Sequence, residues 1–343
     1  MERFPGYTLV RTEDCPEQHG TLTVLTHDVS GATVLLVENE DTNKAFGIGF
    51  GTFPSDDTGV FHILEHSVLA GSEKYPVTSP FLQLLKSSMA SFLNAMTFPD
   101  KTVYPFATPN ETDFKNLMDV YLNAVFCRWL WWTRACLSRR LAPQCRRHRE
   151  RSGVQRDAGR SGCTGCSVGK CTGTGHVPGY AYGFVSGGDP ASIPALTYEK
   201  YKRVYHRHYS ADNCCITLYG KMDMAEKLEL LDRDYLSKMP KGTSRPQLTV
   251  QHEQAGACVE LPYYTENPEP DEVQCALAWY TGAFADRERQ LGVEILLDAL
   301  LGTNNSPLKA ALLAEKLGAR YLDIGFDDST LAAGAGTGAA RCH

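Results

Sequence analysis

No run of eighteen or more apolar residues occurs in these 343 residues, so no segment has the length of apolar chain that crosses a bilayer as a helix. Positive charge is not in excess either: 34 Lys and Arg stand against 40 Asp and Glu, a formal net charge of −6. That balance removes the electrostatic reason to expect nucleic acid or an anionic membrane as a partner. The opening, MERFPGYTLVRTEDCPE, has no apolar core of the kind a secretory signal needs and carries acids that a transit peptide avoids. A cytoplasmic location is the expectation, with a mitochondrial or plastid matrix as the alternative for a chain whose N-terminus is incomplete. Without a secretory signal, the 12 cysteines are expected as thiols and not as disulfides.

What is present is the composition of a globular protein, 43% hydrophobic and 22% charged, in a chain long enough for two domains. TLTVLTHDVSGATVLLVEN alternates as two strands about a Ser-Gly-Ala turn, and KAFGIGFGT continues as a third. A helix is expected from Thr58-Gly59 to about Leu69, with Asp56 and Asp57 near its positive end, and another from Ser79 to about Ser88 with Pro80 in its first turn. FLNAMT and DKTVYPFAT read as extended, and TDFKNLMDVYLNAVF as an amphipathic helix. After a Gly/Pro loop come a helix from about Thr197, a strand at CCITLYG and a helix at MDMAEKLELLDRDYLSKM. The polar stretch PKGTSRPQ divides the chain into domains 1–245 and 246–343. In the second, QLTVQHE, ACVELPYY and EVQCALAWYTG read as strands and DRERQLGVEILLDALLG as a helix, the first plan begun again, before a tail of low complexity.

One segment does not share this grammar. Residues 127–176 hold six of the 12 cysteines, three of the four tryptophans, ten Arg, one Lys and two acids, with no Ile, Phe, Tyr, Asn or Met. Taking its eleven basic and two acidic residues from the totals leaves 23 basic and 38 acidic residues elsewhere.

The chemistry centres on His62-Ile63-Leu64-Glu65-His66. Histidines four apart lie one helical turn above each other, so both imidazoles can reach one metal ion. Glu65 falls beside that ion, placed to activate water as a general base and not as a ligand. A catalytic zinc takes three protein ligands and keeps one open position, so a further carboxylate has to come from elsewhere in the chain.

GVFHILEHSVLAGSEKYPV, then FLNAMTFPDKTVYPFAT, then YGFVSGGDPASIPALTYEKYKRVYHRHYS together resemble the inverzincin zinc metallopeptidases of the pitrilysin and insulinase family, in particular its presequence-protease branch. The resemblance covers 6–126 and 180 to about 325. It implies an α+β fold, a metallopeptidase domain with a mixed, largely antiparallel sheet and packed helices, followed by part of a second homologous domain. It implies one Zn2+ per chain on His62 and His66, Glu65 as the base, and Phe92, Asn94 and Ala95 on a strand edge that holds substrate by β-augmentation. The partners it implies are short unstructured peptides, with no nucleic acid and no membrane, and the C-terminal half of the family architecture is missing.

The family's third ligand is a glutamate in a motif like Phe-Asn-Glu-Met-Gln-Gly, and no such motif is present. Val154-Gln155-Arg156-Asp157-Ala158-Gly159, back-translated and shifted by one base, admits that motif, with its glutamate across the codons of Arg156 and Asp157. Residues of about 127–178 therefore read as an out-of-frame or mis-spliced translation. Two rivals stand beside the peptidase reading. One is a non-catalytic peptide-binding homologue or subunit, against which the retention of His62, Glu65 and His66 argues. The other is a zinc-knuckle nucleic-acid-binding protein, from Cys163-x2-Cys166-x4-Cys171-x4-His176, against which the lack of an aromatic platform argues.

Overall fold

The computed structural model describes residues 4–77, 80–127, 181–189, 192–239, 241–242, 246–248, 273–314, 324–327 and 332–342. The chain falls into two compact units, Met1–Pro143 with Ser186–Leu248, and Gln144–Val185 with Thr249–His343.

In the first unit, alternating apolar residues build one eight-stranded sheet. Its strands are β1 (Tyr7–Cys15), β2 (Gly20–His27), β3 (Thr33–Glu38), β4 (Lys44–Gly51), β5 (Phe92–Leu93), β6 (Met96–Thr97), β7 (Lys101–Thr108) and β8 (Cys214–Tyr219). The spatial order is β1-β2-β3-β8-β4-β7-β5, with β6 also on β7. β3 and β8 run parallel and every other pair is antiparallel, the mixed, largely antiparallel sheet expected. β4 shows how period-2 chemistry chooses a face: Phe46, Ile48 and Phe50 are buried while Gly47 and Gly49 lie on the other side. Tyr104 and Phe106 of β7 and Ile216 and Leu218 of β8 are buried with them.

Five α-helices of this unit lie among the described residues: α1 (Val60–Val68), α2 (Pro80–Ser87), α3 (Glu111–Phe126), α4 (Tyr198–His208) and α5 (Met224–Asp234). α3 begins where Asn110 caps it, its side chain accepting from the Asp113 N–H at 2.9 Å. Phe114 and Tyr121 then pack edge-on against Phe106, each at 5.3 Å between ring centres. At such positions a fully buried aromatic or aliphatic side chain contributes about 1.5–3 kcal/mol. α4 and α5 are capped in the same way by Thr197 and Asp223.

The expected strands and helices of this unit are found, with two differences. β1 was not among them: seven of its nine residues are exposed, so it carries no buried face to read. FLNAMT is extended as expected, but in two pieces: the Asn94 N–H donates to Pro105 O of β7 at 3.1 Å, and Pro105 has no N–H to return the bond, so the ladder is interrupted there.

The second unit has a three-stranded antiparallel sheet, β10 (Ile324–Asp327), β11 (Ala332–Cys342) and β9 (Val273–Ala283) in that order. The tail expected as low-complexity chain thus supplies the middle strand. Two helices accompany it among the described residues, the expected α6 (Arg287–Leu301), capped by Asp286, and α7 (Pro307–Ala314). The strands expected at 247–253 and 257–264 fall almost wholly outside the described residues, as do Arg156, Asp157 and the Cys163–His176 spacing.

Candidate metal centre

α1 carries the site, and its placement starts at its N-terminus. Asp56 turns back to accept from the Thr58 N–H at 3.0 Å and the Thr58 hydroxyl at 2.5 Å, and it pairs with Lys200 of α4. Gly59 follows in the left-handed region, φ 63°. A Cβ there would come within 2.7 Å of Gly187 O and 2.8 Å of Gly188 Cα, so the Gly187-Gly188 loop lies directly on the start of the helix. The Asp189 N–H donates to Asp57 O at 2.8 Å and locks that contact. Val60, Phe61, Ile63, Leu64 and Val68 are all buried, which fixes the rotation of the helix. His62 is thereby left half-buried, Glu65 buried and His66 exposed.

The predicted pairing of the histidines is present: their rings lie 4.7 Å apart, and the two Nε2 atoms face each other at 3.0 Å. Two nitrogens on a tetrahedral zinc at 2.0–2.1 Å stand about 3.3 Å apart, so the observed spacing fits a shared cation. Among the described residues, His62, Glu65 and His66 are the one group of His, Cys, Asp or Glu able to offer three ligand atoms, within 4.8 Å of one another.

Burial pushes the Glu65 carboxyl up to about 7, against the opposing pull of a hydrogen bond from Thr97. That bond runs from Thr97 Oγ1 to Glu65 Oε2 at 3.2 Å. It joins the buried carboxylate to β6, so the outer edge of the sheet passes beside the site. Phe92, Asn94 and Ala95 lie on that edge. Phe92 is 47% exposed on β5, and the Asn94 N–H donates to Pro105 O of β7 at 3.1 Å. Tyr121 of α3 donates its hydroxyl to Asn94 O at 3.2 Å.

Sequence reasoning did not single out Thr97, Gly187 or His208. His208 is buried with Nδ1 donating to Gly51 O at 3.0 Å, and its ring meets Phe61 of α1 edge-on at 4.8 Å. Burial lowers its pKa, the Gly51 carbonyl opposing. The loop after α1 is tied to α3: Lys74, Tyr75 and Tyr235 all donate to the Asp119 carboxylate. Burial raises that carboxyl, and the three donors outweigh it and hold it below its usual range. The signal for Gly187 was in the doubled glycine, a residue pair suited to close backbone approach. For Thr97 and His208 the sequence held no local signal, because their partners are 32 and 157 positions away.

Residues 45–140 match the family model described as Insulinase (Peptidase family M16), and residues 195–338 match that described as Peptidase M16 inactive domain. Presequence protease 1, chloroplastic/mitochondrial, of Arabidopsis thaliana is 34% identical over 350 residues, which is 95% of this chain and 31% of that protein. Protein HypA of Clostridium perfringens is 34% identical over 95% of this chain and 34% of its own length. The mitochondrial presequence protease of Yarrowia lipolytica is 36% identical over 93% and 33%. The chain therefore spans about a third of the length of the curated relatives it matches. Among solved structures, that of pitrilysin superposes over 98% of this chain and 35% of its own, and a protease from Helicobacter pylori over 94% and 75%. Both give a TM-score of 0.66 at 16% identity, a likeness of fold. Fold, motif and relatives agree: the chain belongs to the insulinase peptidase family, M16, and resembles its presequence proteases.

Proposed function

We infer that the chain is the zinc-binding portion of a metalloendopeptidase that degrades short unfolded peptides such as cleaved targeting presequences. The observation that carries this reading is the pair of facing imidazoles at 3.0 Å beside a buried carboxylate that is bonded to a sheet edge. His62 and His66 are the residues that would hold one zinc ion, and bound there it would polarise a peptide carbonyl and make water more acidic. Glu65, buried beside both imidazoles and held by Thr97, is placed to take a proton from water and return it. Phe92, Asn94 and Ala95 would receive an extended peptide along the edge, with backbone hydrogen bonds giving affinity for unfolded chain of varied sequence. Domains 1–245 and 246–343 stand in this reading as the zinc domain and the beginning of its homologue. The names of the relatives point to a mitochondrial or plastid matrix for this chain as well. No helix among the described residues is long and apolar enough to cross a membrane.

The third ligand belongs to the same reading. A shifted reading frame around Arg156 and Asp157 would restore the family's glutamate. Sequencing the transcript there is expected to show the shift, and an unbroken frame matching the protein removes it. A second reading, peptide binding without cleavage, draws on the lack of a motif like Phe-Asn-Glu-Met-Gln-Gly in the sequence. One assay separates the two. Cleavage of an unstructured peptide, stopped by chelator and abolished at least about 100-fold by Glu65→Gln while zinc is still bound, supports the peptidase. Peptide binding with no cleavage in a verified full-frame chain supports the binding module.

A further inference from the structure

Glu65 is oriented by a hydroxyl that comes from the sheet edge and not from its own helix. Thr97 closes β6, a strand of two residues whose pairing is Met96↔Val103 and Thr97↔Thr102, and a turn follows at once, with the Phe98 N–H on Lys101 O at 2.8 Å. α1 packs on β6, so Thr97 Oγ1 reaches Glu65 Oε2 at 3.2 Å. The terminal torsion of a glutamate is broad, and one hydrogen bond to one oxygen sets it. The bond takes Oε2 and leaves Oε1 for a water at the imidazoles.

The edge itself is weakly made. β5 and β6 have two residues each, and the ladder to β7 is broken between them where Asn94 faces Pro105, which has no N–H to give. Edge segments this short gain order from a strand added on their open side, because each new backbone hydrogen bond fixes residues that the sheet alone holds loosely.

We propose that Thr97 is a positioning residue that couples occupancy of the strand edge to Glu65: the Thr97 hydroxyl already bonds the Glu65 carboxylate, and a peptide pairing along the edge firms β6 and with it the orientation in which that carboxylate accepts a proton from water. This rests on the peptide-cleavage reading above and adds to it a reason why the base acts best when substrate is in register. Neither a ligand to the ion nor a group touching substrate, Thr97 acts through Glu65.

The test uses the full chain, a non-cleavable unstructured peptide with reduced peptide bonds, and glutamate labelled at its carboxyl carbon. In the metal-free wild type, saturating peptide is expected to shift the Glu65 carboxyl resonance. In Thr97→Val the peptide should bind with unchanged Kd and leave that resonance where it was, and Thr97→Ser, which keeps the hydroxyl, should restore the shift. With zinc and a cleavable peptide, Thr97→Val should lower kcat about ten-fold or more with KM little changed, and Thr97→Ser should recover most of it. Equal resonance shifts in the wild type and Thr97→Val overturn the coupling while leaving the peptidase reading intact. Failure of the peptide to bind the wild type overturns the peptidase reading and the coupling with it.

Discussion

His208 shows how a side chain without a motif governs the helix that has one. It sits buried against Phe61, one position before the first zinc-ligand candidate, with its Nδ1 proton on Gly51 O. Because burial depresses its pKa below 6.5, the folded state resists its protonation. Its contribution to stability is therefore whole above pH 6.5 and is lost as the pH falls through the lower folded value. Glu65, whose raised carboxyl favours the folded state as the pH falls, gives a slope of the opposite sign, so the His208 contribution is read as a difference: the denaturant midpoint of the wild type minus that of His208→Asn, which keeps a donor to Gly51 O, should shrink from pH 8 down to 5. The same change should cost about 0.5–1.5 kcal/mol at neutral pH through the lost ring contact. The paired histidines and Glu65 were legible from spacing alone, since a helix turn is a local rule. Thr97 and His208 were not, because what defines them is a partner brought close only by the fold.

Helix α1 depends on a junction where two backbones meet without side chains. Gly59 is left-handed, and the Gly187-Gly188 loop presses on it with no room for a methyl group. Gly59→Ala should cost about 2 kcal/mol or more, the left-handed penalty alone being about 1–2 kcal/mol. Since the obstruction is backbone on both sides, the helix start has to move, and His62 moves with it. Thermal unfolding should show the lower stability, and a zinc titration should show weaker binding than in a control of equal stability altered away from α1. Most helices and strands were readable beforehand because apolar residues recur at period 3.6 or 2, and the helix expected from about Thr197 begins where the Thr197 side chain caps it. β1 escaped notice because both its faces are exposed, and the gap between β5 and β6 because Pro105, which lacks the N–H to pair with Asn94, sits on a strand that only the fold brings alongside.

The order β3-β8-β4 places the late strand Cys214–Tyr219 between two early ones. The α+β class was legible from the succession of strands and helices, but this insertion was not, since nothing local in CCITLYG says which neighbours it joins. Without β8, the layers β1-β2-β3 and β4-β7 have no hydrogen bonds to each other. A chain ended after Asn213 should therefore show no cooperative unfolding by calorimetry, although it keeps His62, Glu65 and His66.

β8 also bears on how the gene is read. A ribosome that slipped a base near residue 127 and never slipped back would emit nonsense in place of CCITLYG, and the nascent half-sheets would emerge with bare borders, fit for chaperones or aggregation. Any error upstream is thus a matched pair, the second event cancelling the first before the middle strand is translated.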